Sequence, residues 1–129
     1  MKLGETIKCE GHLFVVCSGP LLLPRDSVVA FNFTEKDWDS DATCIVQPGE
    51  HEYIRKESVI AYAHGQLLTP QHIAGLKVLQ GVEYPPVKPE LLLRIQEGVF
   101  KSLDNIPPKL IKAMYCFAAE TLANSLRVS

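Results

Sequence analysis

The 129-residue sequence contains no apolar run of the length that a membrane span or a secretory signal requires. Its apolar stretches, such as those at positions 13–17 and 21–23, are far shorter than the roughly 20 residues needed to cross a bilayer. The first residues also lack the extended apolar segment of a signal peptide. We therefore expect a cytoplasmic protein with no membrane association.

Positive charge is not in excess either, because the formal net charge is −2. Such a chain lacks the broad basic surface typical of nucleic-acid-binding proteins, so any contact with RNA must be local. With 47% hydrophobic and 22% charged residues, the composition is also far from that of disordered chains. The length is that of one domain.

Recognisable metal motifs are absent. The sequence has four cysteines, at positions 9, 17, 44 and 116. Only Cys9 with His12, and Cys44 with His51, approach metal-like pairings, and neither spacing matches a zinc signature. We therefore predict reduced thiols, no metal and no cofactor. Cys44 acting as a nucleophile with His51 as its base is an alternative, but no flanking signature accompanies it.

Apolar segments rich in β-branched and aromatic residues dominate the first half of the chain and predict short strands. The first two should pair antiparallel. Pro48 and Gly49 predict a turn after the third, and Tyr53–Ile54 is expected to continue the pairing. The predicted strands cover residues 11–17, 27–34, 43–46 and 58–63, the last closed by 67–68.

The pattern becomes helical after Thr69, which is a good N-cap residue before Pro70. Further helices are predicted from 90 to about 100, where Leu91, Leu92, Ile95 and Val99 share one face, and from 110 to 126. The fold class is therefore mainly β with α. We predict a small β-barrel with a short helix over residues 1–84, and a helical C-terminal extension over 85–129 that packs on the barrel.

Several of these stretches resemble the MazF/PemK-type toxins, whose barrel is like that of SH3 domains and which cleave single-stranded RNA. Residues 11–18 resemble the strand after the family's first loop, and 28–34 resemble the next, with Thr34 at the place of the family's threonine. Residues 58–62 fit the order of elements. Segment 41–54, with its Gly-acidic-His-x-aromatic-Ile motif, resembles a divergent branch, and 89–98 resembles its C-terminal extension. His12 stands where the family has an arginine.

The resemblance implies a metal-independent endoribonuclease with an antitoxin partner and a homodimeric state. Cleavage needs a general base, a general acid and stabilisation of charge on the phosphate. Histidine titrates near neutrality, so we predict that His12 and His51 share the proton transfers, with Thr34 as a hydrogen-bond donor to the phosphate. Residues that could hold the RNA are Ser18, Asn32, Tyr53, Arg55 and Lys56.

Three alternatives remain open from the sequence. In the first, His12 caps a strand end and His51 hydrogen-bonds a turn. In the second, Trp38 and Tyr53 stack on bases, although the acidic residues around Trp38 favour contact with a basic partner or simple exposure. In the third, the whole chain is a non-catalytic barrel module that binds a protein or nucleic acid.

Overall fold

The structure is a computed structural model that describes residues 1–128. It is a mixed β/α fold in which one antiparallel sheet precedes three α-helices. The strands are β1 (Thr6–Cys9), β2 (His12–Val16), β3 (Val28–Glu35), β4 (Ile45–Val46) and β5 (Ser58–Leu68). The helices are α1 (Pro70–Leu79), α2 (Pro89–Lys101) and α3 (Pro108–Val128), with a 3-10 turn at Leu103–Asn105.

The five strands lie in the order β1-β2-β3-β5-β4 and curl into a half-barrel. All pairings are antiparallel. The predicted antiparallel pairing of the first two apolar segments is therefore confirmed, with Phe14 opposite Asn32 and Val16 opposite Ala30. The coarse prediction of a small barrel-like sheet followed by helices holds for the part of the chain that the structure describes.

A strand that the sequence analysis did not predict lies before the first apolar segment. β1 joins β2 through Glu10 and Gly11, whose φ angles are 51° and 82°. Two successive residues with positive φ are typical of a type I′ hairpin turn, whose twist matches that of paired strands. This turn places Cys9 opposite His12 and fixes His12 at the exposed start of β2.

The sheet buries apolar side chains on both faces. On the inner face, Val29, Phe31 and Phe33 of β3 pack with apolar residues of α2 and α3. On the outer face, Val28 and Ala30 pack with Ile73 of α1. Helix α1 covers only this half of the outer face, because the next outward residues of β3, Asn32 and Thr34, line surface hollows instead.

The β3–β5 ladder contains a bulge in its middle. Asn32 pairs with Ala61 but Ala30 pairs with Gln66, so residues 62–65 of β5 stand opposite Phe31 alone. Gly65 is required there, because a Cβ atom would lie 2.5 Å from Phe31 Cε1. Bulges bend a strand and often re-aim side chains beside functional sites. This bulge lies next to Asn32, and residues in or beside the bulge line the same surface hollow as Asn32.

The predicted helices are confirmed, including the N-cap, since Thr69 Oγ1 accepts a hydrogen bond from the His72 backbone N–H at 3.2 Å. Gly49, with φ of 93°, forms part of the predicted turn. The prediction that Tyr53–Ile54 continues the strand pairing is wrong, because these residues lie in a turn and coil held by other contacts. Within residues 1–128, no helix combines the length and apolarity that a membrane crossing needs.

Candidate functional site

A solvent-open hollow of about 530 Å³ lies at one end of the sheet. We call it the His12 hollow. Five of the eight residues predicted for the site line it, and they come from β2, β3 and the segment before β5: His12, Thr34, Tyr53, Arg55 and Lys56. The rest of the lining is Gly11, Phe33, Glu35, Glu52, Ile54, Ser58 and Tyr84. Residues far apart in sequence thus meet at one surface.

Tyr53 joins the two sides of this hollow. Its hydroxyl donates a hydrogen bond to the Gly11 carbonyl in the β1–β2 turn at 3.3 Å. Its ring packs edge-on against Tyr84, with ring centroids 5.1 Å apart, and the Lys8 ammonium lies 6.0 Å from its centroid. These contacts make an aromatic wall from residues separated by about thirty positions. Such half-exposed rings offer surfaces on which unpaired bases can stack.

His51 lies behind this wall and is only 6% exposed. Its Nδ1 accepts a hydrogen bond from the Tyr53 backbone N–H at 3.1 Å, and its Nε2 lies 2.7 Å from the Pro85 carbonyl oxygen. Because a carbonyl only accepts, Nε2 carries the proton and the ring is a neutral tautomer. Both ring nitrogens are therefore occupied, and the arrangement matches the alternative that His51 hydrogen-bonds a turn.

The charges of the hollow nearly balance. Arg55 and Lys56 supply two exposed cations, while Glu35 and Glu52 supply two carboxylates. The Lys56 ammonium lies 3.8 Å from the Glu35 carboxylate, a distance at which an exposed pair contributes little stability. Glu52 has no ion-pair partner among the residues that the structure describes. Arg55 and Glu52 are therefore the charged side chains of the hollow that have no ion-pair partner within the described chain.

The remaining predicted RNA contacts, Ser18 and Asn32, lie outside the His12 hollow. Ser18 is fully buried, and its hydroxyl oxygen accepts a hydrogen bond from the Val29 backbone N–H at 2.9 Å. That bond ties the end of β2 to β3. Asn32 lines a second hollow of about 450 Å³, which we call the Asn32 hollow. His12 and Thr34 line both hollows, so the two hollows lie side by side, and we call them together the groove.

Helix α2 fixes the loop that leads into the site. The Arg94 guanidinium pairs with the Glu50 carboxylate and also donates to the Ile45 carbonyl. The hydrogen bond from Arg94 lowers the pKa of Glu50 below its ordinary value. The next residue, His51, anchors the segment from the other side. The chain between β4 and β5 is therefore held at two neighbouring points.

The cysteine and metal alternatives receive no geometric support. All four cysteines are free. Burial raises the pKa of Cys17 to about 12 and also raises the pKa of Cys44, although the Arg94 cation opposes the latter shift. A buried thiol with a raised pKa is a poor nucleophile. Among residues 1–128, no three His, Cys, Asp or Glu side chains come together as a metal site.

Trp38 lies outside the groove, at the tip of the acidic loop between β3 and β4, and is 96% exposed. The loop is ordered by its own polar groups, since the Asp37 backbone N–H donates to the Ser40 hydroxyl at 2.9 Å. Asp41 accepts a hydrogen bond from the Ser102 hydroxyl at 2.7 Å, which ties the loop to the end of α2. Trp38 is thus exposed, as one of the alternatives expected, and takes no part in the aromatic wall.

Sequence reasoning missed three important lining residues: Glu35, Glu52 and Tyr84. Glu35 belongs to an acidic stretch that resembles a solvated loop. Tyr84 precedes two prolines, and the only feature of the sequence that could have indicated its role is that an aromatic residue stands directly before a rigid segment. Comparisons with protein-family models, curated proteins and solved structures find no match for this chain.

Proposed function

We propose that this protein is a toxin-like, metal-independent endoribonuclease that cleaves single-stranded RNA in the His12 hollow. The observation that carries the proposal is the convergence of His12, Thr34, Tyr53, Arg55 and Lys56 on one open surface. An exposed imidazole can act as the acid, the Glu52 carboxylate as the base, and hydroxyl groups with two cations can stabilise charge on the phosphate, as cleavage without a metal requires. The resemblance to the MazF/PemK toxins and their SH3-like barrel supports the same reaction class.

The reaction begins when the ribose 2′-oxygen attacks the adjacent phosphorus. A base removes the 2′-hydroxyl proton, the bond from phosphorus to the 5′-oxygen breaks, and an acid protonates that leaving oxygen. The products are a 2′,3′-cyclic phosphate and a 5′-hydroxyl. We assign the acid role to His12, which is exposed, and the base role to Glu52, which has no cation partner among the described residues. His51 is not assigned a proton transfer, because both its nitrogens are bonded to backbone groups.

The other lining residues hold the strand. Arg55 and Lys56 are exposed cations that can contact phosphates on either side of the scissile bond. The Thr34 hydroxyl can donate a hydrogen bond to the phosphate oxygen on which charge develops. Tyr53 and Tyr84 offer their rings to unpaired bases.

The proposal includes two protein partners: an antitoxin, one segment of which covers the groove, and a second copy of this chain, which completes a homodimer. An apolar surface between α2 and α3 supports the homodimer. This surface contains an apolar cleft of about 570 Å³, distinct from the groove, and its lining includes the exposed side chains of Leu93, Phe100 and Leu122. Large exposed apolar patches commonly mark protein interfaces. Sedimentation of the purified protein at several concentrations, with Leu122→Glu as the variant that should be monomeric, tests the dimer.

Cleavage is tested with purified protein, end-labelled single-stranded RNA and EDTA in the buffer. We expect products that end in a cyclic phosphate. His12→Ala should lower kcat by about 10²–10⁴-fold, the usual contribution of a general acid. His72→Ala, which removes an exposed histidine on α1 outside both hollows, is the matched control and should cleave like the unmodified protein. Equal activity of the His12 and His72 variants would remove His12 from the chemistry.

A non-catalytic module that binds single-stranded RNA is the second candidate. One observation favours it: His12 is the only histidine that lines the His12 hollow within the described chain, and both ring nitrogens of the nearby His51 are bonded to backbone groups. The same assay separates the two functions. Retention of labelled RNA without cyclic-phosphate products, in the presence of EDTA or added Mg²⁺, would support the module and exclude the nuclease.

A further inference from the structure

Asn32 differs from the other buried polar residues of this protein. It is 4% exposed, and its Nδ2 donates a hydrogen bond to the Phe33 carbonyl at 3.1 Å. That bond fixes the orientation of the amide, so Oδ1 is the amide atom whose hydrogen bonding is still to be accounted for. Asn32 Oδ1 is shielded from solvent and has no hydrogen-bond partner within the described chain. Among the residues described, no other buried side-chain nitrogen or oxygen lacks a partner.

An unpaired buried acceptor costs about 1–3 kcal/mol, and proteins rarely tolerate one without a reason. Elsewhere this chain satisfies such groups, as with Ser18 bonded to Val29 and Ser58 bonded to the Lys56 carbonyl. The exception lies beside the β-bulge, where Asn32 and Ala30 pair with residues five positions apart in β5. Bulges tend to occur next to binding sites.

A hollow that could accept a ligand lies beside the bulge. The Asn32 hollow has a volume of about 450 Å³ and is lined by Cys9, Glu10, His12, Phe14, Asn32, Thr34, Ala61, His64 and Gln66. His64 and Gln66 lie in or beside the bulge and are exposed. Because both side chains are exposed, they can change rotamer when a group enters the hollow. His12 and Thr34 also line the His12 hollow, so a strand bound there lies next to this second space.

We propose that the Asn32 hollow binds one base of the RNA strand, and that Asn32 Oδ1 accepts a hydrogen bond from an exocyclic amino group of that base. This inference rests on the proposed function, because it places the base next to the phosphate at His12. Adenine, cytosine and guanine carry such a donor, whereas uracil has no amino group and presents an oxygen where cytosine has its amino group. A site with a buried acceptor discriminates strongly against a ligand that lacks the matching donor.

Binding, rather than cleavage, tests the inference. Short single-stranded oligonucleotides with 2′-fluoro sugars cannot be cut by this route and can be titrated by fluorescence anisotropy. We expect cytidine strands to bind about tenfold more tightly than uridine strands, from the cost of leaving Oδ1 unpaired. Asn32→Leu has nearly the same shape but no acceptor, and should bind both strands equally. The variant removes the unpaired Oδ1 but also the hydrogen bond from Nδ2 to the Phe33 carbonyl, and these two effects on stability oppose each other, so its Tm should lie close to that of the unmodified protein.

A second ligand pair needs no variant. Strands with adenosine or with purine riboside differ only in the amino group, and the adenosine strand should bind about tenfold more tightly. Equal affinities within both pairs, or a preference that persists in Asn32→Leu, would overturn the inference while leaving RNA binding intact. Failure of every strand to bind would instead overturn the proposed function, and this inference with it.

Discussion

The two histidines predicted for the site should respond to substitution in opposite ways. His51→Ala removes the hydrogen bonds to Tyr53 and Pro85, and each bond contributes about 1 kcal/mol. It also leaves a space between the ring of Phe33, whose centroid lies 6.1 Å from that of His51, and the ring of Tyr84 at 6.4 Å. With the lost packing we expect a total destabilisation of about 3 kcal/mol.

For a chain of this length, about 3 kcal/mol corresponds to a fall of about 10 °C in Tm. His12→Ala removes an exposed side chain, and surface substitutions of this kind usually change stability by less than about 0.5 kcal/mol. Its Tm should therefore stay within about 2 °C of the unmodified protein. Thermal unfolding followed by circular dichroism measures both values, and the result does not depend on any activity.

Cleavage assays then separate stability from chemistry. At temperatures well below its Tm, the His51→Ala protein should still cleave RNA. Its main change should be in KM, because the aromatic wall of Tyr53 and Tyr84 is less firmly held. His12→Ala should be folded and inactive. A His51→Ala protein that melts like the unmodified protein but loses kcat would refute this reasoning, because it would show that the buried imidazole takes part in the chemistry.

Two further predictions concern the framework around the site. Gly98→Ala should destabilise the protein by about 1–3 kcal/mol, because the new methyl group would meet the Tyr62 hydroxyl and lie 2.8 Å from Tyr62 Cζ. Tyr62→Phe in the same chain should restore part of that loss in urea unfolding, and additive losses would contradict the clash. The free energy of unfolding should also fall as the pH drops below about 4.5, since hydrogen bonding from Arg94 holds the folded-state pKa of Glu50 below its ordinary value of 4.5. The stabilisation from the ionised Glu50 is present above the ordinary pKa of its carboxyl group and is lost as the pH falls through the lowered pKa of the folded state. Arg94→Gln should therefore flatten the acid side of the plot of unfolding free energy against pH. An unchanged plot would show that the pair of Arg94 and Glu50 does not stabilise the fold.

Much of the architecture could be predicted because its causes are local. Thr69 followed by Pro70 marks a helix start whatever lies around it, and the turn at Pro48–Gly49 depends on the backbone preferences of those two residues. Strand β1 was missed because its cause is not local. Its four residues mix polar and apolar side chains, and only the pairing with β2 makes them a strand.

The candidate site divides in the same way. The residue types and the family resemblance together indicated eight residues for phosphate chemistry, and five of them, His12, Thr34, Tyr53, Arg55 and Lys56, line one hollow. Sequence spacing did not reveal that His51 would turn both nitrogens toward backbone groups, because one of them belongs to Pro85, which lies 34 positions away. A side chain's hydrogen-bond partners depend on which segments the fold brings together, and spacing carries no such information for distant segments.

The sequence by itself therefore determined four of the five strands, the three α-helices and their apolar faces, because these depend on local patterns. Only the tertiary structure decided which polar residues meet at a surface and which are bonded inside the fold. The β-bulge opposite Phe31 is the clearest case, since the register of β3 against β5 arises from packing between strands that are more than twenty residues apart. That register places the bulge beside the Asn32 hollow, where the amide oxygen of Asn32 has no partner within the described chain.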